Sequence, residues 1–156
     1  MTSLALTTLF YASVLGAGGE TYADAHQQAV ETGKPMVVMV STDWCMPCQE
    51  MKKAVLPKVR EDGLLSEVSF AVVNPDKDRA LAQQLTGGGP VPQLLMYRQT
   101  DQGWKRRKLI GGQTVAAVRN FIREGLSLDR LAKRHSGEAP AVATVSKSTA
   151  DSQQAQ

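Results

Sequence analysis

Cysteine and histidine are scarce in this chain of 156 residues, which has two of each. Two thiols cannot make a four-thiolate zinc site, and His26 and His135 stand far away at unrelated positions, so a closed zinc centre within one chain is not expected and no metal is assigned. Net charge is only +3 and is spread along the chain, which leaves no compositional ground for a nucleic-acid partner. Residues 1–19 carry no charged side chain at all. The basic n-region of a secretory signal is therefore missing, although the apolar stretch 4–17 and the small residues after it resemble an h-region and cleavage zone, with Ala17 or Ala25 as candidate ends. Threonine and serine in that stretch weaken a transmembrane reading. There is no internal repeat. With 42% hydrophobic and 21% charged residues, the remainder reads as one ordinary globular domain with some extra sequence, large enough to bury a core without staples.

The two cysteines are separated by two residues, in Trp44-Cys45-Met46-Pro47-Cys48, soon after the apolar run 36–40. If that segment opens a helix, the sulfurs can close a small disulfide and Cys45 falls at the helix start, where unpaired amides and the helix dipole favour an anion. Cys45 is therefore the expected nucleophile, accessible and with a lowered pKa. Cys48, one turn further in, is the expected resolving thiol, shielded until a mixed disulfide forms. Pro47 suits an early helical position, because its missing N–H would be unpaired there. So short a loop gives little entropic stabilisation, and a structural staple is the weaker reading.

Along the chain, Thr21 and Asp24 form a capping-box start for a helix whose apolar stripe is Tyr22, Ala25, Ala29 and Val30. His26, close to that stripe with no second ligand nearby, reads as a partly exposed surface residue. Gly33-Lys34-Pro35 ends the helix, and the unbroken apolar run 36–40 fits a central strand covered on both faces. The helix from Cys48 carries Met51, Val55 and Val59 on one side, with Pro57 expected to kink it or end its first section. Further expectations are a buried strand at 68–73, a short helix at 78–85, a glycine-rich loop at 86–90, and a hairpin of 94–97 and 108–110 joined through Asp101-Gln102-Gly103. The basic run 105–108 after Trp104 reads as a solvated edge strand, whose charge discourages strand-to-strand aggregation. A last helix at 114–124 turns Val115, Val118, Phe121 and Ile122 inward, with Gly125 as its stop signal. The organisation expected is thus a leader or anchor at 1–19, one domain at 20–126, a helical or docking extension at 127–135 around Leu128, Leu131 and Ala132, and a disordered tail at 136–156.

The cysteine motif is followed in order by Asn74 and Asp76, by Val91-Pro92-Gln93-Leu94-Leu95-Met96-Tyr97 and by Gly111. On these four matches, over residues 21–126, the chain resembles the thioredoxin family. The resemblance implies an α/β fold with a central mixed β-sheet flanked by helices, thiol–disulfide exchange with protein disulfides, and no cofactor beyond the redox-active disulfide Cys45–Cys48. It also implies a cis bond before Pro92, with Pro92 packed against the sulfurs and Val91 offering backbone hydrogen bonds to an extended substrate. Val91, between two prolines, is itself restricted to extended conformations. Trp44, Met46 and Pro47 then belong to the substrate-binding surface around Cys45.

Two departures are chemical. Thioredoxins commonly bury an aspartate six positions before the first cysteine, with a lysine nearby; Met39 and Val72 stand there instead. Losing both is coherent, since either alone would be an uncompensated buried charge. An apolar floor raises the Cys48 pKa and removes the usual proton acceptor, leaving water or the nearby Asp43 to carry the resolving proton in a slower exchange. Met46 replaces a glycine between the cysteines, and the lack of histidine there argues against a strongly oxidising variant. The function expected is a protein-disulfide reductase, monomeric, with an upstream thiol electron donor and without membrane insertion of the folded domain. It is expected to be exported, periplasmic or otherwise extracytoplasmic, with a cytoplasmic setting as the alternative. The other reading is a binding module in which Cys45, Cys48 and Met46 hold Cu(I) or deliver a thiol during metalloprotein assembly.

Overall fold

The computed structural model describes residues 21–137; the expected leader at 1–19 lies outside them, as does the tail expected at 136–156 except for Ser136 and Gly137, which are helical and correct its start. Helix α1 (Tyr22–Thr32) is opened by the capping box, with the Asp24 amide donating to Thr21 Oγ1 and the Thr21 amide to Asp24 Oδ2, each at 3.2 Å. It is closed by Gly33 in the left-handed region at φ 66°, a conformation a Cβ would strain. Ala25 and Ala29 are its buried stripe; Val30, one residue further round, is 51% exposed, so the expected stripe is narrower.

Strand β1 (Met36–Val40) is buried along its whole length. It pairs in parallel with β2 (Ser69–Val73) and antiparallel with β3 (Gln93–Thr100), while β4 (Gly103–Ile110) completes the order β2-β1-β3-β4. The two-residue period of the pleat splits β1 between two cores. Val37 and Met39 join Cys45, Cys48, Met51, Val59, Phe121 and Ile122 on one face. Met36, Val38 and Val40 meet Ala25, Ala29, Ala82 and Leu85 on the other. Burying each large apolar side chain contributes roughly 1.5–3 kcal/mol, which is why an all-apolar strand serves only at the centre of a sheet with both faces covered.

After β1 the chain runs through α2 (Met46–Glu50), a wider π-helical turn (Met51–Val55) and α3 (Leu56–Glu61) without a break. The Leu56 amide reaches back to Met51 O. The widened turn lies directly before Pro57, whose ring and missing N–H disrupt the regular ladder; of the two outcomes expected, a kink or an end to the first section, the chain absorbs the proline in a bulge within a continuous run. A short 3₁₀ turn (Leu64–Ser66) leads to β2, and α4 (Arg79–Thr86) is capped by the Asp78 carboxylate accepting from the Leu81 amide at 3.0 Å. The β3–β4 hairpin is longer than its apolar residues foretell, because its outer half is charged and exposed.

Helix α5 runs from Val115 to Gly137 and passes straight through Gly125, so the stop signal expected there is a correction. Gly125 is a packing residue: a Cβ at that position would run into the Met96 thioether of β3. Beyond it, Lys133 Nζ donates to Gly33 O at 2.6 Å and to buried Asp129 at 2.7 Å, tying the helix end to the cap of α1. Leu128 and Leu131, on this extension, are 41% and 45% exposed.

Candidate active site

The site forms where β1 ends and α2 begins. Cys45 is the N-cap of α2, extended at φ −85° and ψ 112°, and its Sγ accepts from the Cys48 amide at 3.3 Å. The helix therefore aims an otherwise unpaired amide at this sulfur, and Pro47 occupies the first turn, where its missing N–H costs nothing. Cys45 and Cys48 are joined in a disulfide with their Cα atoms 5.2 Å apart. Cys48 is fully buried, and Cys45 is also buried at 7% exposure, which corrects the expectation of an exposed sulfur. Access to Cys45 is through a cleft of about 1010 Å³.

Trp44, Cys45, Met46 and Pro47 line one side of that cleft, Pro90 and Val91 another. The Val91–Pro92 bond is cis, and Val91 O lies 3.9 Å from Cys45 Sγ. Pro92 itself is buried, with its carbonyl accepting from the Gly111 amide at 2.8 Å. Trp44 and Met46 are 72% and 79% exposed. Trp44 is nonetheless held, its Nε1 donating to Asp76 Oδ2 at 3.0 Å while the Asp76 amide donates to Asn74 Oδ1 at 2.8 Å.

Asp43 is placed elsewhere. Its carboxylate accepts from Lys52 Nζ at 3.0 Å and Asn74 Nδ2 at 3.2 Å, and it lines a separate depression with Ser41, Val73 and Lys77. The hydrogen bond from Lys52, and then that ammonium's charge, hold the Asp43 carboxyl below the usual carboxylate range, which makes it a weaker base. Beneath the disulfide, Met39 is fully buried, and the register sets it opposite Val72. Met39 packs in one hydrophobic cluster with both cysteines, with Phe70 of β2 against it. The floor is apolar, as the paired departures imply.

The cleft's far wall was not foreseen from the sequence: Arg79, Ala82, Gln83 and Thr86 of α4, spaced as one helical face. The spacing was legible, but nothing in it says that this face meets Cys45. Gln93 was also missed as a support. Buried, it donates from Nε2 to Pro90 O at 3.0 Å, and a Cβ on Gly89 would come within 2.7 Å of the same nitrogen. Among the described residues, no group of three or more His, Cys, Asp or Glu is gathered as a metal site would require, and no helix is long and apolar enough to cross a membrane.

A family model described as thioredoxin-like matches residues 19–99, just over half of the chain. No curated protein matches the sequence. Among solved structures, the fold is similar to a thioredoxin from Thermus thermophilus at 20% identity and TM-score 0.63, covering 77% of this chain and 95% of that one. It is similar to Trxlp from Edwardsiella tarda EIB202 at 26% identity and TM-score 0.54, over 67% and 95% of the two chains. It is also similar to a DsbH oxidoreductase at 20% identity and TM-score 0.54, over 81% and 96% of the two chains.

Proposed function

The chain belongs to the thioredoxin-like family, and on that footing we propose that it reduces disulfides in protein substrates, with Cys45 as nucleophile and Cys48 as resolving thiol. The fold and the paired cysteines support thiol–disulfide oxidoreductase chemistry in general. The reducing direction rests on the surroundings of Cys45: its sulfur is met by one helix amide, and no histidine or cation stands between the cysteines to stabilise the thiolate strongly.

In the forward direction the Cys45 thiolate attacks one sulfur of a substrate disulfide, the substrate's S–S bond breaks, and its other sulfur leaves as a thiolate. Val91 O, next to the sulfur, is poised to accept a backbone N–H from an extended substrate strand. Cys48 then loses its proton to water and attacks Cys45 Sγ, which closes the disulfide and releases the second substrate thiolate. Two electrons pass from the dithiol to the substrate, and the protons of the two thiols end on the released thiols through solvent. Water fills the proton role because the Asp43 carboxylate is bound to Lys52 and Asn74. An upstream dithiol protein restores the pair by the same exchange in reverse. The uncharged stretch within residues 1–19 supports an extracytoplasmic setting for both partners.

The observation that carries this reading is Cys45 at a helix N-cap, its sulfur on the Cys48 amide and its side chain in the wall of a cleft beside Val91 O. Copper or thiol delivery through Cys45, Cys48 and Met46 is not favoured, since among the described residues no His, Asp or Glu is gathered with the two cysteines as a metal site would require. Insulin reduction driven by dithiothreitol tests the choice. Turnover by the wild type that vanishes in Cys45→Ser supports the reductase; an inert wild type that binds Cu(I) tightly refutes it.

A further inference from the structure

We propose that the open edge of β4 is a docking strand for an acidic, extended segment of the protein that exchanges disulfides with Cys45, an inference that rests on the function proposed above. Strand β4 is the outermost of the sheet and pairs only with β3. Its four consecutive cations alternate between the two faces. Arg106 donates to Leu85 O of α4 at 3.1 Å on one face, whereas Arg107 pairs with Glu124 of α5 at 2.7 Å and covers the Phe121 ring at 5.4 Å on the other. By the same period Lys108 lies with Arg106 and Lys105 with Arg107. The side chains of Lys105 and Lys108 have no hydrogen bond or ion pair among the described residues, and Lys105 stands opposite Arg98 in the register. Like charges directly across a ladder are unfavourable, and an incoming carboxylate relieves them.

The edge also leads to the site. Ile110, 45% exposed, ends the strand; the next amide, Gly111, donates to Pro92 O, and a Cβ on Gly112 would lie 3.2 Å from Pro47 Cβ. A segment laid along β4 would therefore bring its flanking residues to the rim of the Cys45 cleft. The occupant follows from the charge pattern. A second copy of this edge is repelled by it. A flat anionic membrane meets the cations of one face only, whereas a strand added to the edge presents alternate side chains to both.

Two synthetic peptides of about eight residues, the length of β4, test the idea. Each ends in a cysteine disulfide-bonded to thionitrobenzoate; one centres four consecutive Glu between Val residues, so that carboxylates reach both faces, and the other has four Gln in their place. The reduced full chain attacks the peptide sulfur, thionitrobenzoate leaves as the coloured thiolate, and Cys48 then releases the peptide thiol. The Glu peptide is expected to react about tenfold faster at low salt, the scale of two exposed ion pairs. That advantage disappears at high salt and in Lys105→Glu/Lys108→Glu, while reaction with the small disulfide 5,5′-dithiobis(2-nitrobenzoate) is unchanged. Adding the Glu peptide with serine in place of its cysteine is expected to shift the amide resonances of β4. Equal rates for both peptides, shifts confined to the α4 wall, or preferential sedimentation with phosphatidylglycerol vesicles over binding of the peptide would overturn the docking strand. Failure of the wild type to react even with the small disulfide would instead refute the underlying function.

Discussion

Restoring a carboxylate beneath the disulfide is expected to be costly alone and tolerable as a pair. Met39→Asp replaces a fully buried thioether in the core cluster that holds both cysteines. It forfeits about 2 kcal/mol of apolar burial and introduces an unpaired buried charge, which costs about 3–5 kcal/mol. The sum is a large share of the roughly 5–15 kcal/mol that holds a domain folded. Burial raises the folded-state pKa of the new aspartate, so the penalty is greatest above that pKa and lifts as pH falls toward the ordinary carboxylate range. Val72 faces Met39 across β1 and β2 and is 36% exposed, so a lysine there can pair with the aspartate and keep its ammonium near water. Val72→Lys in the Met39→Asp background should then recover about 1–3 kcal/mol, a coupling typical of neighbouring sites. Urea unfolding of the four oxidised proteins of the double-mutant cycle, at mildly acid and mildly alkaline pH, measures this. The reduced double variant should also resolve mixed disulfides at least several-fold faster near neutrality, because Cys48 regains a proton acceptor. A Met39→Asp variant that loses less than about 1 kcal/mol, with no dependence on pH, would mean a hydrated floor and refute the reasoning.

Gly125→Ala adds a methyl where the Met96 thioether already lies; overpacking of about 1–3 kcal/mol outweighs the gain of about 1 kcal/mol in helix propensity, so thermal unfolding should shift downward, and a stabilised variant would contradict the packing account. The lowered Asp43 pKa gives a contribution to stability that is present above the usual carboxylate range and fades as pH falls through the lowered value. Asp43→Asn should flatten that acid limb and leave the rate of disulfide resolution unchanged; a slower resolution would make Asp43 the proton acceptor. Trp44→Phe removes the hydrogen bond to Asp76 and should raise KM for a protein disulfide a few-fold with little change toward a small one, as read by steady-state kinetics on both.

Most of the architecture could be read in advance because it is encoded locally. Residues 36–40 have no polar face to offer water, so they belong at the centre of a sheet, and all five are buried. Thr21 and Asp24 announce a helix start through side chains three residues apart, and both hydrogen bonds form. What escaped the sequence depends on partners distant in the chain. Gly125 looks like a terminator until Met96 is placed against it, and α5 outlasts it because Lys133 and Asp129 anchor the next turns to the cap of α1. Pro57 looks like a break until the turn before it widens. Cys45 comes within 3.9 Å of a carbonyl forty-six residues away, that of Val91, which only the folded chain brings to the sulfur. The alternation of basic residues along β4 was legible as an exposed edge, but its convergence on Pro47 and Pro92 was not, since only the folded sheet brings Gly111 and Gly112 there.

The central claim is that Cys45 is the sulfur that ionises first and attacks. Alkylation of the reduced protein by iodoacetamide as a function of pH, with the modified cysteine located by peptide mass spectrometry, tests it most directly. The account predicts carbamidomethylation at Cys45 alone in the native protein, with a midpoint below the roughly 8.5 of a free cysteine, and Cys48 modified only after unfolding. Equal labelling of both residues, or a Cys45 that titrates like a free thiol, would contradict it.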